Sequence, residues 1–335
     1  MIDAMTTGEK VESVVGRGLI PIIALFLLFL AAIAVVVEHK YPRPIAQAQP
    51  QSQAASAAET EDAFAELSLV AKAAIVIDLK NNKTLYALNQ DAQLPLASLA
   101  KVPLALVVSD ALPPDTVITI PRDTAPKGSA ERLAKGERWR VQDIIDFTLV
   151  ASSNEGAEIL ASAVDESIRE KYPNAPENSA AIWRMNALAE QLGLTRTYFL
   201  NASGLDISTT LSGAYGSARD IAALFAYAAT EHLFIFSKTA DDGLLLTSAN
   251  GKNTTRAFNT NEAQGQIQGI MMGKTGITDL AGGNLAVVFD AGYGHPIVAV
   301  VLGSTREGRF SDMRQLVSYA RVAVAEQKEV LATGQ

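Results

Sequence analysis

The sequence predicts an α+β protein in which one antiparallel sheet, built from both ends of the folded region, is flanked by helices. Two observations support this prediction. Short apolar runs rich in β-branched residues stand near the start of the folded region and again after Gly265, whereas apolar residues between them recur at helical spacing. Strands from both ends can share a sheet only if the middle packs beside it, so we expect a mainly helical middle subdomain.

Composition limits the classes of function. The 335 residues carry a formal net charge of -8 without any basic stripe, which argues against nucleic-acid binding. The chain has no cysteine, which excludes disulfides and thiolate metal sites, and its three histidines do not stand at ligand spacing. We therefore expect neither a metal nor another cofactor.

A membrane anchor is predicted near the N-terminus. Residues 1–16 form a polar tail expected in the cytoplasm, and residues 17–38 contain the uncharged run Leu19–Val37. This run is long enough to cross a hydrocarbon core of about 30 Å as a helix. An uncleaved signal anchor is therefore expected, the alternative being a signal peptide cleaved after the small residues Ala46-Gln47-Ala48.

The folded domain, expected over residues 64–327, follows a linker at residues 39–63. The linker is predicted to be disordered, because it is rich in Pro, Gln, Ala and Ser and shows no apolar period. A β-hairpin is predicted over Ala73–Asp78 and Thr84–Leu88, since Asn81-Asn82-Lys83 between them favours a turn. The next helix carries Lys101 and continues through apolar residues to Val108.

The middle of the chain predicts helices, and its end predicts strands. Residues 113–137 are rich in Pro, Gly and charge and predict loop or edge structure. The helices are predicted over Val141–Val150, Ala157–Val164, Ile182–Leu192 and Ala218–Ala229, the third ended by Gly193 and the last capped by Ser217. Strands are predicted over Ile267–Met272, Asn284–Phe289 and Ile297–Leu302, before a closing amphipathic helix over Met313–Val324.

Three short motifs carry the chemistry. Ser98 and Lys101, three residues apart, share one helix face, where a neutral amine can take the proton of a hydroxyl and create a nucleophile. Ser152-Ser153-Asn154 stands between two predicted helices, and Lys274-Thr275-Gly276 stands at the end of a predicted strand. Each motif alone is more often ordinary structure. A second Ser-x-Asn, Ser248–Asn250, lies in a predicted loop, which favours a role as a plain turn.

The ordered set Ser-x-x-Lys, Ser-x-Asn, Lys-Thr-Gly matches the signature of penicillin-binding proteins. From Ala71 to Ala323 the chain resembles the D-alanyl-D-alanine carboxypeptidases, the low-molecular-mass penicillin-binding serine peptidases. The resemblance extends to stretches outside the motifs: Met185–Ala189, Phe199–Leu205, Ser217–Asp220, Asn259–Asn261 and Val300–Phe310. It implies a fold of the β-lactamase and transpeptidase type.

The resemblance also implies catalytic roles. Ser98 would be the acylated nucleophile, and Lys101 its general base, with a pKa lowered by burial and by the nearby cation Lys274. Ser152 would pass a proton to the leaving D-alanine amine. Asn154 would hold Lys101 and the peptide amide of the substrate.

Further residues are implied on the substrate side. Thr275 and the backbone through Gly276 would bind the substrate as an added strand. The N–H groups of Ser98 and Ile277 would form the oxyanion hole. Arg309 would bind the terminal carboxylate, with Arg306 as the competing choice.

The implied function is a membrane-anchored D,D-carboxypeptidase that acts on peptidoglycan stem peptides and is inhibited by β-lactams. The catalytic domain would lie outside the cytoplasmic membrane, with the N-terminus inside. A D,D-endopeptidase, a β-lactamase and a non-catalytic wall-binding module stay open as competing functions. The chain shows no Glu-x-x-Leu-Asn pattern between Asn154 and Lys274, as a β-lactamase would need, and it has Ala100 where many family members have threonine.

Overall fold

The computed structural model describes residues 63–122 and 133–333. The predicted tail, the predicted anchor and all but the last residue of the predicted linker lie outside these ranges. Within them, no helix is both long and apolar enough to cross a membrane.

The described residues form seven α-helices, three short 3₁₀ helices and twelve strands. The helices are α1 Lys101–Ala111, α2 Val141–Val150, α3 Asn154–Lys171, α4 Ala180–Gln191, α5 Ala218–Glu231, α6 Leu233–Phe236 and α7 Gly308–Thr333. The strands are β1 Ala73–Asp78, β2 Lys83–Leu88, β3 Leu94–Pro95, β4 Val117–Thr119, β5 Arg138–Arg140, β6 Tyr198–Phe199, β7 Ala214–Gly216, β8 Gly243–Thr247, β9 Thr254–Phe258, β10 Ile270–Thr278, β11 Gly282–Asp290 and β12 Pro296–Ser304.

The main sheet joins the two ends of the folded region, which confirms the predicted fold class. Its five antiparallel strands run in the order β10-β11-β12-β1-β2, and β1 pairs with β12 through contacts such as Ala73 with Leu302. Strand β10 forms one edge of the sheet and therefore has an unpaired side.

Alternate residues of the central strands enter two different cores. In β12, Val298 and Val300 pack with the helical middle of the chain, whereas Val301 packs on the other face with α7 residues such as Leu316. This alternation follows from the two-residue period of a strand. Because both faces are covered, β12 is apolar along nearly its whole length.

One prediction of local structure was wrong, and one hairpin was missed. The strand predicted over Ile267–Met272 is β10, Ile270–Thr278, so that Lys274-Thr275-Gly276 lies inside the strand and not at its end. Pairing with β11, including Gly276 with Asn284, carries the strand past glycines that favour termination. The hairpin β8–β9 was not predicted. Ser248 lies at its turn and donates a hydrogen bond to Asn250, which agrees with a structural role for that second Ser-x-Asn.

Candidate active site

The nucleophile segment, which is the turn that carries Ser98, has a strained backbone, and a residue distant along the chain packs against it. Ser98 lies in the 3₁₀ turn Ala97–Ala100 that leads into α1, and Ala97 has a φ of 50°. Gly204 presses against this turn: a Cβ on Gly204 would stand 1.9 Å from the Ala97 carbonyl oxygen. Since an alanine in the left-handed region carries an energetic cost, the surrounding contacts must maintain it.

Lys101 is fully buried directly behind Ser98. Its amine donates to Ser98 Oγ at 2.7 Å, to Asn154 Oδ1 at 2.8 Å and to the carbonyl oxygen of Ser203 at 2.9 Å. Burial lowers the pKa of Lys101 to about 7, while the nearby carboxylate of Glu158 acts in the opposite direction. A substantial fraction of the amine is therefore neutral near pH 7, as a general base requires.

The Ser-x-Asn motif is a helix junction in which each residue has a separate position. Ser153 is the buried N-cap of α3 and accepts a hydrogen bond from the Gly156 amide at 3.0 Å. Asn154 begins the helix and contacts Lys101, while Ser152 adopts a φ of 56° before the cap. The strained turn thus presents Ser152 and Asn154 to the two different lysines.

Lys274 is the second buried amine. It donates to Ser152 Oγ at 2.8 Å and to the Thr275 carbonyl oxygen at 3.0 Å. Burial, followed by the positive charges of Lys101 and Arg309, lowers the pKa of Lys274 well below its ordinary value. Burial is the main cause of the lowered pKa for both amines, and the repulsion between two cations so close together also favours a neutral amine.

Strand β10 passes directly against the nucleophile segment. A Cβ on Gly276 would lie 2.7 Å from the Leu96 carbonyl oxygen and 3.3 Å from the Ser98 nitrogen. Only glycine permits this approach. The approach brings the backbone at Gly276 beside Ser98, and the half-buried Ile277 is the next residue of the strand.

Arg309 and Thr275 are two further neighbours of Gly276. Arg309, in the first turn of α7, is buried and donates from Nη1 to the Gly276 carbonyl oxygen at 2.9 Å. Burial, together with the charge of Arg306, lowers its pKa to about 10, so it stays cationic at neutral pH. Its Nε has no hydrogen-bond partner among the described residues, whereas the competing Arg306 is exposed. Thr275 Oγ1 lies 2.6 Å from Thr260 Oγ1.

The structure thus brings Ser98, Lys101 and Asn154 into one hydrogen-bonded group and Ser152 and Lys274 into another. Three contacts are not anticipated from the sequence: the Ser203 carbonyl, the Gly204 contact and the Thr260 hydroxyl. The residues that make them lie in Phe199–Leu205 and Asn259–Asn261, two stretches that resemble the family. This resemblance is the signal in the sequence that points to these residues, although it assigns no chemical role to them.

The family model for D-alanyl-D-alanine carboxypeptidases matches residues 56–306. The chain belongs to this family of serine peptidases. The D-alanyl-D-alanine carboxypeptidase DacB2 of Mycobacterium tuberculosis is 29% identical over 239 residues, which cover 71% of this chain and 77% of that protein. The D-alanyl-D-alanine endopeptidase of Escherichia coli is 30% identical over 220 residues, which cover 64% of this chain and 65% of that protein.

Solved structures agree with this membership. Penicillin-binding protein D2 from Listeria monocytogenes, in its cefotaxime-bound form, superposes with a TM-score of 0.63 at 28% sequence identity. The match covers 76% of this chain and 98% of that one. The family and its fold, both expected from the three motifs, are confirmed.

Proposed function

We propose that this protein is a D,D-carboxypeptidase that removes the terminal D-alanine of peptidoglycan stem peptides through an acyl-enzyme on Ser98. The observation that carries the proposal is the pair of buried lysines, one bonded to Ser98 and the other to Ser152. A buried amine with a pKa of about 7 beside a hydroxyl is an arrangement for proton removal. A lysine kept only for stability has no reason to be buried, because burial disfavours its charge.

Acylation begins at Lys101. Its neutral amine takes the proton of Ser98 while the serine oxygen attacks the carbonyl carbon of the penultimate D-alanine. The N–H groups of Ser98 and Ile277 stabilise the oxyanion. As the peptide bond breaks, Ser152 donates its proton to the departing D-alanine amine and recovers one from Lys274, to which it is hydrogen-bonded. The proton that Lys101 took from Ser98 is then returned to Lys274 through solvent, which leaves Lys101 neutral again. Water then releases the shortened peptide from Ser98, with Lys101 again accepting a proton.

Substrate binding uses the free edge of β10. The peptide adds to this edge as a strand, guided by Thr275 and Gly276. Its terminal carboxylate meets the Thr275 hydroxyl and the cationic Arg309 guanidinium. A penicillin carries a carboxylate and a reactive carbonyl that fit the same contacts, so we propose that β-lactams acylate Ser98.

A D,D-endopeptidase is the second candidate. The similarity to the E. coli endopeptidase supports it, because that relative is as close in identity as the carboxypeptidase. The same nucleophile and base would serve both reactions. The two activities differ in the leaving group, which is a free D-alanine in one case and a cross-linked residue in the other.

The location follows from the substrate. We propose that residues 17–38 anchor the chain in the cytoplasmic membrane, that residues 1–16 stay in the cytoplasm, and that residues 39–63 link the anchor to a catalytic domain of residues 64–327 outside. Protease added to intact spheroplasts should degrade the domain. A fully protected domain would contradict the proposed orientation.

Incubation with a pentapeptide muropeptide tests the activity. Release of D-alanine, lost in Ser98→Ala and strongly reduced in Ser152→Ala, is expected. Ser248→Ala is the matched control, because it alters the second Ser-x-Asn outside the site, and it should retain activity. Cleavage of a cross-linked dimer without release of D-alanine would favour the endopeptidase.

Labelling with a fluorescent penicillin distinguishes a D,D-peptidase from a β-lactamase and from a wall-binding module. A stable adduct on wild type that is absent from Ser98→Ala supports the acyl-enzyme. An adduct that turns over within seconds would indicate a β-lactamase. Absence of any adduct on the wild type, together with absence of D-alanine release, would favour a non-catalytic wall-binding module.

A further inference from the structure

The stretch Asn259-Thr260-Asn261 has no role in the proposed mechanism, yet it is firmly anchored beside the site. The side-chain amide of Asn259 donates to the carbonyl oxygens of Thr239 at 3.0 Å and Asp241 at 2.7 Å. The side-chain oxygen of Asn261 accepts from the Ala263 amide at 3.2 Å. The two asparagines therefore hold the backbone on either side of Thr260.

Thr260 itself connects two parts of the active site. Its backbone N–H donates to the carbonyl oxygen of Val150 at 3.2 Å, where α2 ends two residues before Ser152. Its hydroxyl oxygen lies 2.6 Å from that of Thr275 on β10. The half-buried Thr260 thus lies between the Ser152 turn and the substrate strand.

The chemistry of the bound state determines which threonine donates. Each hydroxyl has one hydrogen, and a carboxylate only accepts hydrogen bonds. If Thr275 binds the terminal carboxylate, its single hydrogen must point to the substrate. Its oxygen can then only accept from Thr260, which must donate. Because Thr275 is only 3% exposed, water can rarely replace this contact.

We propose that Thr260 is a positioning residue for recognition of the substrate's terminal carboxylate. It orients the Thr275 hydroxyl by donating to its oxygen and leaves the hydrogen of Thr275 aimed at the substrate. This role rests on the proposed function, because it assumes a substrate with a free C-terminal carboxylate. In this role Thr260 determines how strongly the site prefers a substrate with a free C-terminal carboxylate over one with an uncharged C-terminus. Thr260 takes no part in proton transfer.

The test compares a peptide ending in D-Ala-D-Ala with its C-terminal amide. The binding of each to the full-length chain carrying Ser98→Ala is measured by calorimetry or by NMR titration. Thr260→Val should weaken binding of the acid about threefold to tenfold, as expected for one hydrogen bond, and should leave the amide unchanged. Thr260→Ser keeps the donor and should retain the preference. Thr254→Val, on the exposed face of β9, is the matched control and should have no effect.

A second background separates positioning from structural damage. With Thr275→Val also present, the change at Thr260 should cause no further loss, since the hydroxyl that it orients is gone. An equal loss for acid and amide, a loss that persists in the Thr275→Val background, or equal binding of acid and amide when Thr260 is intact would overturn the proposal. Release of D-alanine is scored separately with Ser98 intact. Its absence would overturn the proposed function, while the binding pattern alone decides the role of Thr260.

Discussion

Because burial lowers the pKa of Lys101 to about 7, acylation of Ser98 should rise about tenfold between pH 6 and pH 8. The active form of this base is the neutral amine. Its fraction is about one tenth at pH 6 and about nine tenths at pH 8 if the pKa is near 7. An ordinary lysine would stay almost wholly protonated over this range, so the rate would be low throughout.

The size of the effect follows from the position of the amine. A fall in the pKa of Lys101 from 10.5 to about 7 means that burial disfavours the charged amine by about 5 kcal/mol. At pH 7 about half of the Lys101 amines are then neutral, against about three in ten thousand for a lysine in water. Burial therefore supplies roughly a thousandfold more base. The assay is the rate of fluorescent-penicillin acylation from pH 5.5 to pH 9.

Substitution of Glu158 is a second test of Lys101 as the base. Its carboxylate raises the pKa of Lys101, so Glu158→Gln should move the midpoint of the pH profile to lower pH. Glu166→Gln is the matched control, because Glu166 is exposed farther along the same helix, and it should leave the midpoint in place. A flat profile between pH 6 and pH 8, a midpoint near 10, or a midpoint raised by Glu158→Gln would refute the assignment of Lys101 as the base.

Three further predictions concern the structure around the site. Lys101→Met should abolish acylation without lowering the Tm at pH 6, because it removes a buried amine whose charge is unfavourable there; a Tm several degrees lower would contradict this. Gly276→Ala should slow acylation about a hundredfold, because its Cβ would meet the Leu96 carbonyl and a displacement near 1 Å has an effect of this order. An unchanged rate would show that the strand can move away without disturbing the site. Asp78 is buried at 2.9 Å from His295, and its hydrogen bonds with His295 and Asn81 hold its pKa below the usual value although burial opposes them. Asp78→Asn should therefore lower the free energy of unfolding measured in denaturant at pH 7, and the difference should shrink as the pH falls through the lowered pKa of Asp78; an equal difference at pH 7 and at about pH 2 would rule out the charge as its source.

The sequence predicted much of this fold because its signals are local or periodic. The apolar runs at both ends and the helical spacing between them indicated the shared sheet, which β1 and β12 form. The prediction failed where a partner strand overrode a local signal. Glycines within β10 favour a strand end, yet pairing with β11 continues through them. The β8–β9 hairpin was missed although it forms five antiparallel residue pairs.

The sequence by itself determined the order of the three motifs, the family, and the shared helix face of Ser98 and Lys101. Only the tertiary structure decided how deeply Lys101 is buried and that the Ser203 carbonyl completes its contacts. It also placed Thr260 against Thr275. The physical reason is that a pKa and the direction of a hydroxyl depend on desolvation and on groups distant along the chain, which no local pattern records.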